Sequence, residues 1–126
     1  DIIIRGGKNL SAAAIEEIVS THPSVALVAA IGIPDAVFGE RAAAYVELRP
    51  NTSLELDELK QFLKREKIAR ELWPEALVVF EALPHNVGGK IAKSALRDDA
   101  QTRFGAGLDA DTAAHAQAAS RREASE

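Results

Sequence analysis

Apolar positions follow two periods along this chain, and each change of period marks a predicted element. Ile2 to Arg5 is a β-branched run that predicts a strand. Gly6-Gly7 supplies a turn, and Lys8 to Leu10 the return arm of a hairpin. Ser11 is placed to cap a helix, because its hydroxyl can accept from free first-turn amides. The spacing then switches: Ile15, Ile18 and Val19 form one stripe of a helix over Ala12 to Ser20. His22-Pro23 ends it, since a residue before proline is pushed out of the α region. Val25 to Ile33 is almost wholly apolar, as in a strand covered on both faces or lying at a sheet centre. Pro34-Asp35 is expected to open a loop that includes Gly39-Glu40, followed by a strand over Ala42 to Leu48. After the turn Pro50-Asn51-Thr52-Ser53, a helix is predicted over Asp57 to Lys67, with Leu59, Phe62 and Leu63 on one face. Its polar face holds Lys60, Lys64, Arg65 and Lys67. A short helical turn at Ala69 to Leu72 leads through Trp73-Pro74 to a strand, Leu77 to Phe80. The Pro84 to Lys90 loop and a helix over Lys93 to Arg103 complete the pattern. The order hairpin-α-β-β-α-β-α predicts an α+β fold, a small two-layer sandwich.

The domain is expected to span residues 1–103. From Gly105 onward alanine and scattered charges replace bulky apolar residues. Residues 104–126 therefore read as an Ala-rich charged tail, either a frayed helix or disordered. A length of 126 residues suits one domain with a modest core, not two. The net charge of −4 argues against a general nucleic-acid binder or a binder of anionic membranes. The absence of cysteine excludes disulfides, thiol catalysis and thiolate metal sites, and fits a cytoplasmic setting. His22, His85 and His115 share no metal-ligand spacing and read as surface residues, so no metal site is expected. No apolar run reaches the ~20 residues of a membrane span. The chain contains no methionine and starts inside a β-type run, Asp1-Ile2-Ile3-Ile4; it is expected to be a piece of a longer polypeptide.

The segment Pro84-His85-Asn86-Val87-Gly88-Gly89-Lys90-Ile91 carries the most chemical information. Glycine permits positive φ and close backbone approach. An ammonium at the end of such a loop suits phosphate or carboxylate oxygens. By itself the pattern also fits a solvated turn.

Four segments together resemble the C-terminal domain of adenylate-forming enzymes, the superfamily of acyl-CoA synthetases, peptide-synthetase adenylation domains and luciferases. They are Asp1 to Ser11 followed by Ile15-Glu16; Pro34-Asp35 with Phe38-Gly39-Glu40; Leu83-Pro84; and Gly89-Lys90-Ile91 with Lys93 and Leu96-Arg97. The Ile-Ile-Arg-Gly-Gly-Lys-Asn-Leu wording at the hairpin is most similar to CoA ligases. The resemblance implies a two-step reaction in which a carboxylic acid and ATP give an acyl-adenylate, and the thiol of CoA then displaces AMP. Lys90 would be the adenylation lysine, with Gly88 and Gly89 supporting its loop. After rotation of the domain, Gly6, Gly7 and Lys8 would line the pantetheine tunnel; Gly6-Gly7 also reads as a tight hairpin turn, and the two readings can hold together. Asn9, Lys64 and Arg65 would be contacts to CoA phosphate or nucleotide, although a solvated helix face explains the last two as well. Glu40 is expected to fix loop geometry. The implied partners are an N-terminal adenylating domain, which would also hold most of the ATP site and its Mg, and a regulatory lysine acetyltransferase acting on Lys90. The isolated fragment is expected to be inactive. Two other functions fit the residues: the adenylation cap of a peptide synthetase, which needs a downstream carrier domain, and a non-catalytic α+β module that binds a partner or nucleotide.

Overall fold

In the computed structural model, which describes residues 1–105, the first elements are β1 (Ile2–Arg5), β2 (Lys8–Ser11) and α1 (Ala12–Ser20). The Ser11 hydroxyl accepts from the Ala14 amide at 3.1 Å, so the cap forms as expected. Next come β3 (Val25–Asp35) and β4 (Gly39–Leu48), a tight antiparallel hairpin paired from Val25↔Leu48 to Asp35↔Gly39. Pro34-Asp35 and Gly39-Glu40, expected in a loop, are thus the ends of two strands. Proline is tolerated there because β3 lies at the sheet edge, where a missing N–H costs no ladder bond.

Helix α2 (Leu56–Arg65) follows, then a 3-10 turn at Arg70–Leu72, β5 (Ala76–Phe80) and α3 (Lys93–Phe104). The expected extension of α2 to Lys67 does not occur. Lys67 takes φ +59°, and the Ile68 amide turns back to the Leu63 carbonyl at 3.0 Å. Phe104, expected to start the tail, is the buried last residue of α3; the rest of that tail, His115 included, lies outside the described residues.

Strand β4 is the centre of the sheet. β3 runs antiparallel along one edge, β5 runs parallel to it over Ala43↔Ala76 to Glu47↔Phe80, and β1 joins at Arg5↔Gly39. Alternation along these strands creates two apolar faces. Ala30, Ala42, Ala44, Val46 and Leu77 face α1 and α2, meeting Ile15, Val19, Leu59 and Leu63, and the hairpin adds Ile3 and Leu10. Ala29, Ile31, Ala43, Tyr45 and Val78 face the other way and meet Leu96, Ala100 and Phe104 of α3. The α+β class and element order stand as expected. The two-layer arrangement gains a third layer from α3, which accounts for the unbroken apolar runs of β3 and β5. Burying each large aliphatic side chain in these clusters contributes about 1.5–3 kcal/mol.

Candidate functional site

The chain from Pro84 to Ala92 folds back on itself between β5 and α3. The Ala92 amide donates to Pro84 O at 2.8 Å, His85 and Ile91 form a bridge, and the Asn86 amide donates to Lys90 O at 2.8 Å. Asn86 then organises the tip. Its Oδ1 accepts from Gly88 N at 3.1 Å and Lys90 N at 3.3 Å, and its carbonyl accepts from Gly89 N at 3.0 Å. Sequence reasoning missed this side chain, although a short amide that bonds the backbone two residues on is the usual Asx-turn signal. The two glycines differ. Gly89 has φ +85°, and a Cβ there would meet nothing within 4 Å, so its constraint is conformational. Gly88 is not left-handed, and a Cβ there would sit 3.6 Å from Asn86 Oδ1, an ordinary contact. Lys90 is exposed, and its ammonium has no hydrogen bond or ion pair among the described residues.

Elsewhere, Arg5 pairs with Lys8 across a two-residue turn whose residues are both left-handed, Gly6 at φ +56° and Gly7 at +81°. That is the geometry of a type I′ hairpin, which side chains resist at both central positions. Space is free above Gly7, whereas a Cβ on Gly6 would stand 3.6 Å from Phe38 Cδ1. A cleft of about 300 Å³ beside the turn is lined by Arg5, Gly6, Lys8, Phe38, Arg41 and Glu75. Its cations are already engaged. Arg5 reaches Glu75 at 2.7 Å and Glu71 O at 2.6 Å, while Arg41 reaches Glu75 and Asp35, each at 3.0 Å. Arg41 also lies 4.7 Å above the Phe38 ring. Amide donation from Phe38 holds the Asp35 carboxyl below the usual range, against a smaller opposing effect of burial and with help from Arg41. Lys8 meets Glu71 at 3.1 Å, both largely exposed, a pair of little energetic weight.

Of the sequence-predicted residues, the structure brings Gly6 and Lys8 to this cleft; Gly7, between them in the turn, does not line it, and Asn9 is exposed one position further along β2. Lys64 and Arg65 are exposed on α2 and do not line it. The Lys90 loop is a separate structure: among the described residues no hydrogen bond or ion pair joins it to the β1–β2 turn. Among the described residues, no cluster of three or more His, Cys, Asp or Glu could hold a metal ion, and no helix is long and apolar enough to cross a membrane. His22, expected at the surface, is half-buried against Phe62, ring centroids 4.7 Å apart.

Comparison with known proteins places these loops in context. Residues 14–90 match the model of the AMP-binding enzyme C-terminal domain. The chain is 41% identical over 105 residues to a medium-chain fatty-acid–CoA ligase of Escherichia coli, covering 82% of this chain and 19% of that one. It is 43% identical over 98 residues to the putative acyl-CoA synthetase YngI of Bacillus subtilis, covering 78% and 18%. Among solved structures, the Mycobacterium tuberculosis fatty acyl CoA synthetase superposes with a TM-score of 0.70 at 38% identity, over 79% of this chain and 19% of that one. The chain thus spans about a fifth of the length of these relatives. A family match over more than half of the sequence, joined to this fold, shows that the chain belongs to the AMP-binding enzyme C-terminal domain family.

Proposed function

We propose that this domain is the catalytic cap of an ATP-dependent, AMP-forming acyl-CoA synthetase, working with an N-terminal adenylating domain of the same polypeptide. The carrying observation is the uncommitted Lys90 ammonium, held on a loop whose backbone is bonded to itself. Arg5, Arg41 and Lys93, by contrast, are neutralised within the fold. In the first half-reaction a carboxylate oxygen attacks the α-phosphorus of ATP, and pyrophosphate leaves. Two anions must approach, and charge builds on the transferring group. A fixed ammonium offsets that repulsion and orients the attack. Lys90 serves as an electrostatic clamp, not as a base.

In the second half-reaction the CoA sulfur attacks the acyl carbonyl, and AMP departs. The domain turns so that the β1–β2 hairpin replaces the Lys90 loop at the reacting centre. Gly6 and Gly7 then admit the pantetheine arm along bare backbone, with Lys8 at the rim and Asn9, Lys64 and Arg65 as outer contacts to CoA phosphate or nucleotide. Mg is assigned to the N-terminal domain, with the nucleotide, and no step on this domain is routed through it. The acid is selected by the partner domain. Acetylation of Lys90 by a lysine acetyltransferase would erase the charge and silence the first step alone.

The test separates the half-reactions in the complete ligase. Lys90→Ala is expected to slow acyl-adenylate formation by about 10²–10³-fold, the loss typical of one electrostatic group. Thioester formation from supplied acyl-adenylate should stay close to normal. Gly7→Trp should show the reverse pattern. Equal loss of both half-reactions in the Lys90 variant would overturn the assignment.

A further inference from the structure

The hairpin that carries Gly6 and Gly7 is poorly anchored by its own ladder. In a two-residue hairpin closed by Arg5↔Lys8, the next pair, Ile4↔Asn9, points its backbone groups away from the partner strand. The N–H and C=O of Ile4 therefore face outward, and β1 meets β4 only at Arg5↔Gly39. The carbonyl side faces β4: Ile4 O lies 3.4 Å from where a Cβ of residue 39 would be, and Gly39 has φ +84°. The amide side has no backbone partner. Its hydrogen bond goes instead to Glu40 Oε1, at 2.8 Å.

Gly32 leaves the space that the Glu40 carboxylate occupies beside Ile4. On β3, Gly32 stands opposite Ala42, diagonal to Glu40 and on the same sheet face. A Cβ at residue 32 would fall 2.6 Å from Glu40 Oε2 and 2.7 Å from Cδ. Gly32 has no positive φ, so no backbone strain calls for glycine there. What the missing side chain provides is the berth of the Glu40 carboxylate. The same hairpin is held further out by Gly6 N to Phe38 O at 2.7 Å, and by the Arg5–Glu75 pair. Beside the Arg5↔Gly39 pairing, Glu40 adds a side-chain link from β4 to the strand leading into the turn.

We propose that Glu40, seated in the notch left by Gly32, is a positioning residue for the thioester half-reaction: it sets the tilt of the Gly6-Gly7 hairpin through the Ile4 amide. This rests on the hairpin role proposed above. The experiment uses the complete ligase and times acyl-adenylate formation and acyl transfer to CoA separately. Glu40→Ala should slow acyl transfer about tenfold, the scale of one hydrogen bond to a charged group, and leave adenylate formation within about twofold. Gly32→Ala retains the carboxylate but evicts it, and should reproduce that defect. Glu40→Gln keeps a carbonyl acceptor and should restore most of the rate. The Gly32→Ala/Glu40→Ala double variant should be no slower than either single one, because both remove the same link.

A Gly32→Ala enzyme with normal acyl transfer would overturn the proposal. So would equal slowing of both half-reactions with a lowered melting temperature, which marks a purely structural residue. Gly7→Trp distinguishes the levels. If it impairs acyl transfer while Glu40→Ala and Gly32→Ala do not, only the positioning role falls. If it too leaves acyl transfer intact, the hairpin is not the thiol path and the proposed function falls with it.

Discussion

At the scale of single residues, the two glycines before Lys90 look alike in the sequence and differ in the fold. Gly89 sits at φ +85°, where an L side chain costs about 1–2 kcal/mol, and Gly88 does not. If the complete protein is the ligase proposed above, Gly89→Ala should slow adenylate formation several-fold, whereas Gly88→Ala should leave it within about twofold. Pyrophosphate-release kinetics on both variants would check this, and matching defects would show that space, not backbone conformation, is limiting. The sequence makes Lys90 and its glycines legible because glycine and lysine carry their chemistry locally. Asn86 escapes notice because its role appears only once its Oδ1 is seen accepting two amides. The pairing of Arg5 and Arg41 through Glu75 is equally invisible in the chain, since 70 positions separate Arg5 from its partner.

At the scale of elements, α1 is legible at both ends because Ser11 and His22-Pro23 are local start and stop signals. The β3–β4 hairpin is less so: Pro34 and Gly39 read as loop residues, yet edge position and left-handed φ make them strand ends. Helix α3 is held on the sheet by polar contacts as well as by Leu96 and Phe104. The fully buried Tyr45 phenol donates to Asp99 Oδ2 at 2.7 Å, and Asp99 accepts from Arg103 at 2.6 Å. Burial first, and then that bond, raise the phenol's pKa, so it stays a donor. Tyr45→Phe should lower stability by about 1–2 kcal/mol, read as an earlier denaturation midpoint.

The packing of His22 against Phe62 of α2 is expected to depend on pH. Burial lowers the His22 pKa in the fold, a raising effect of Glu58 being smaller and Arg65 adding a little to the lowering. The unfolded chain therefore binds a proton that the folded one refuses. Stability from this group is whole above about pH 6.5, the ordinary imidazole value, and declines as pH falls through the unfolded and then the folded pKa. Urea denaturation at several pH values should show the decline, and His22→Gln should flatten it. An unchanged slope in that variant would assign the effect to another group.

At the scale of the whole molecule, one small sheet presents two chemically different loops that share no hydrogen bond or ion pair. One offers a free cation on a self-bonded loop, the other bare backbone beside cations already neutralised. Such a layout suits a domain that serves two steps in turn, and an equal demand for both loops at once would not call for it. The α+β class and the element order are legible from periodicity. The third layer is not, because Leu96, Ala100 and Phe104 mark one face of α3 without saying which side of the sheet it covers. The most direct measurement is the structure of the complete ligase with a non-hydrolysable acyl-adenylate mimic. The expected result places Lys90 Nζ within about 3 Å of an adenylate oxygen in the adenylating pose. Finding that ammonium in open solvent in each captured pose would contradict the proposed catalytic role.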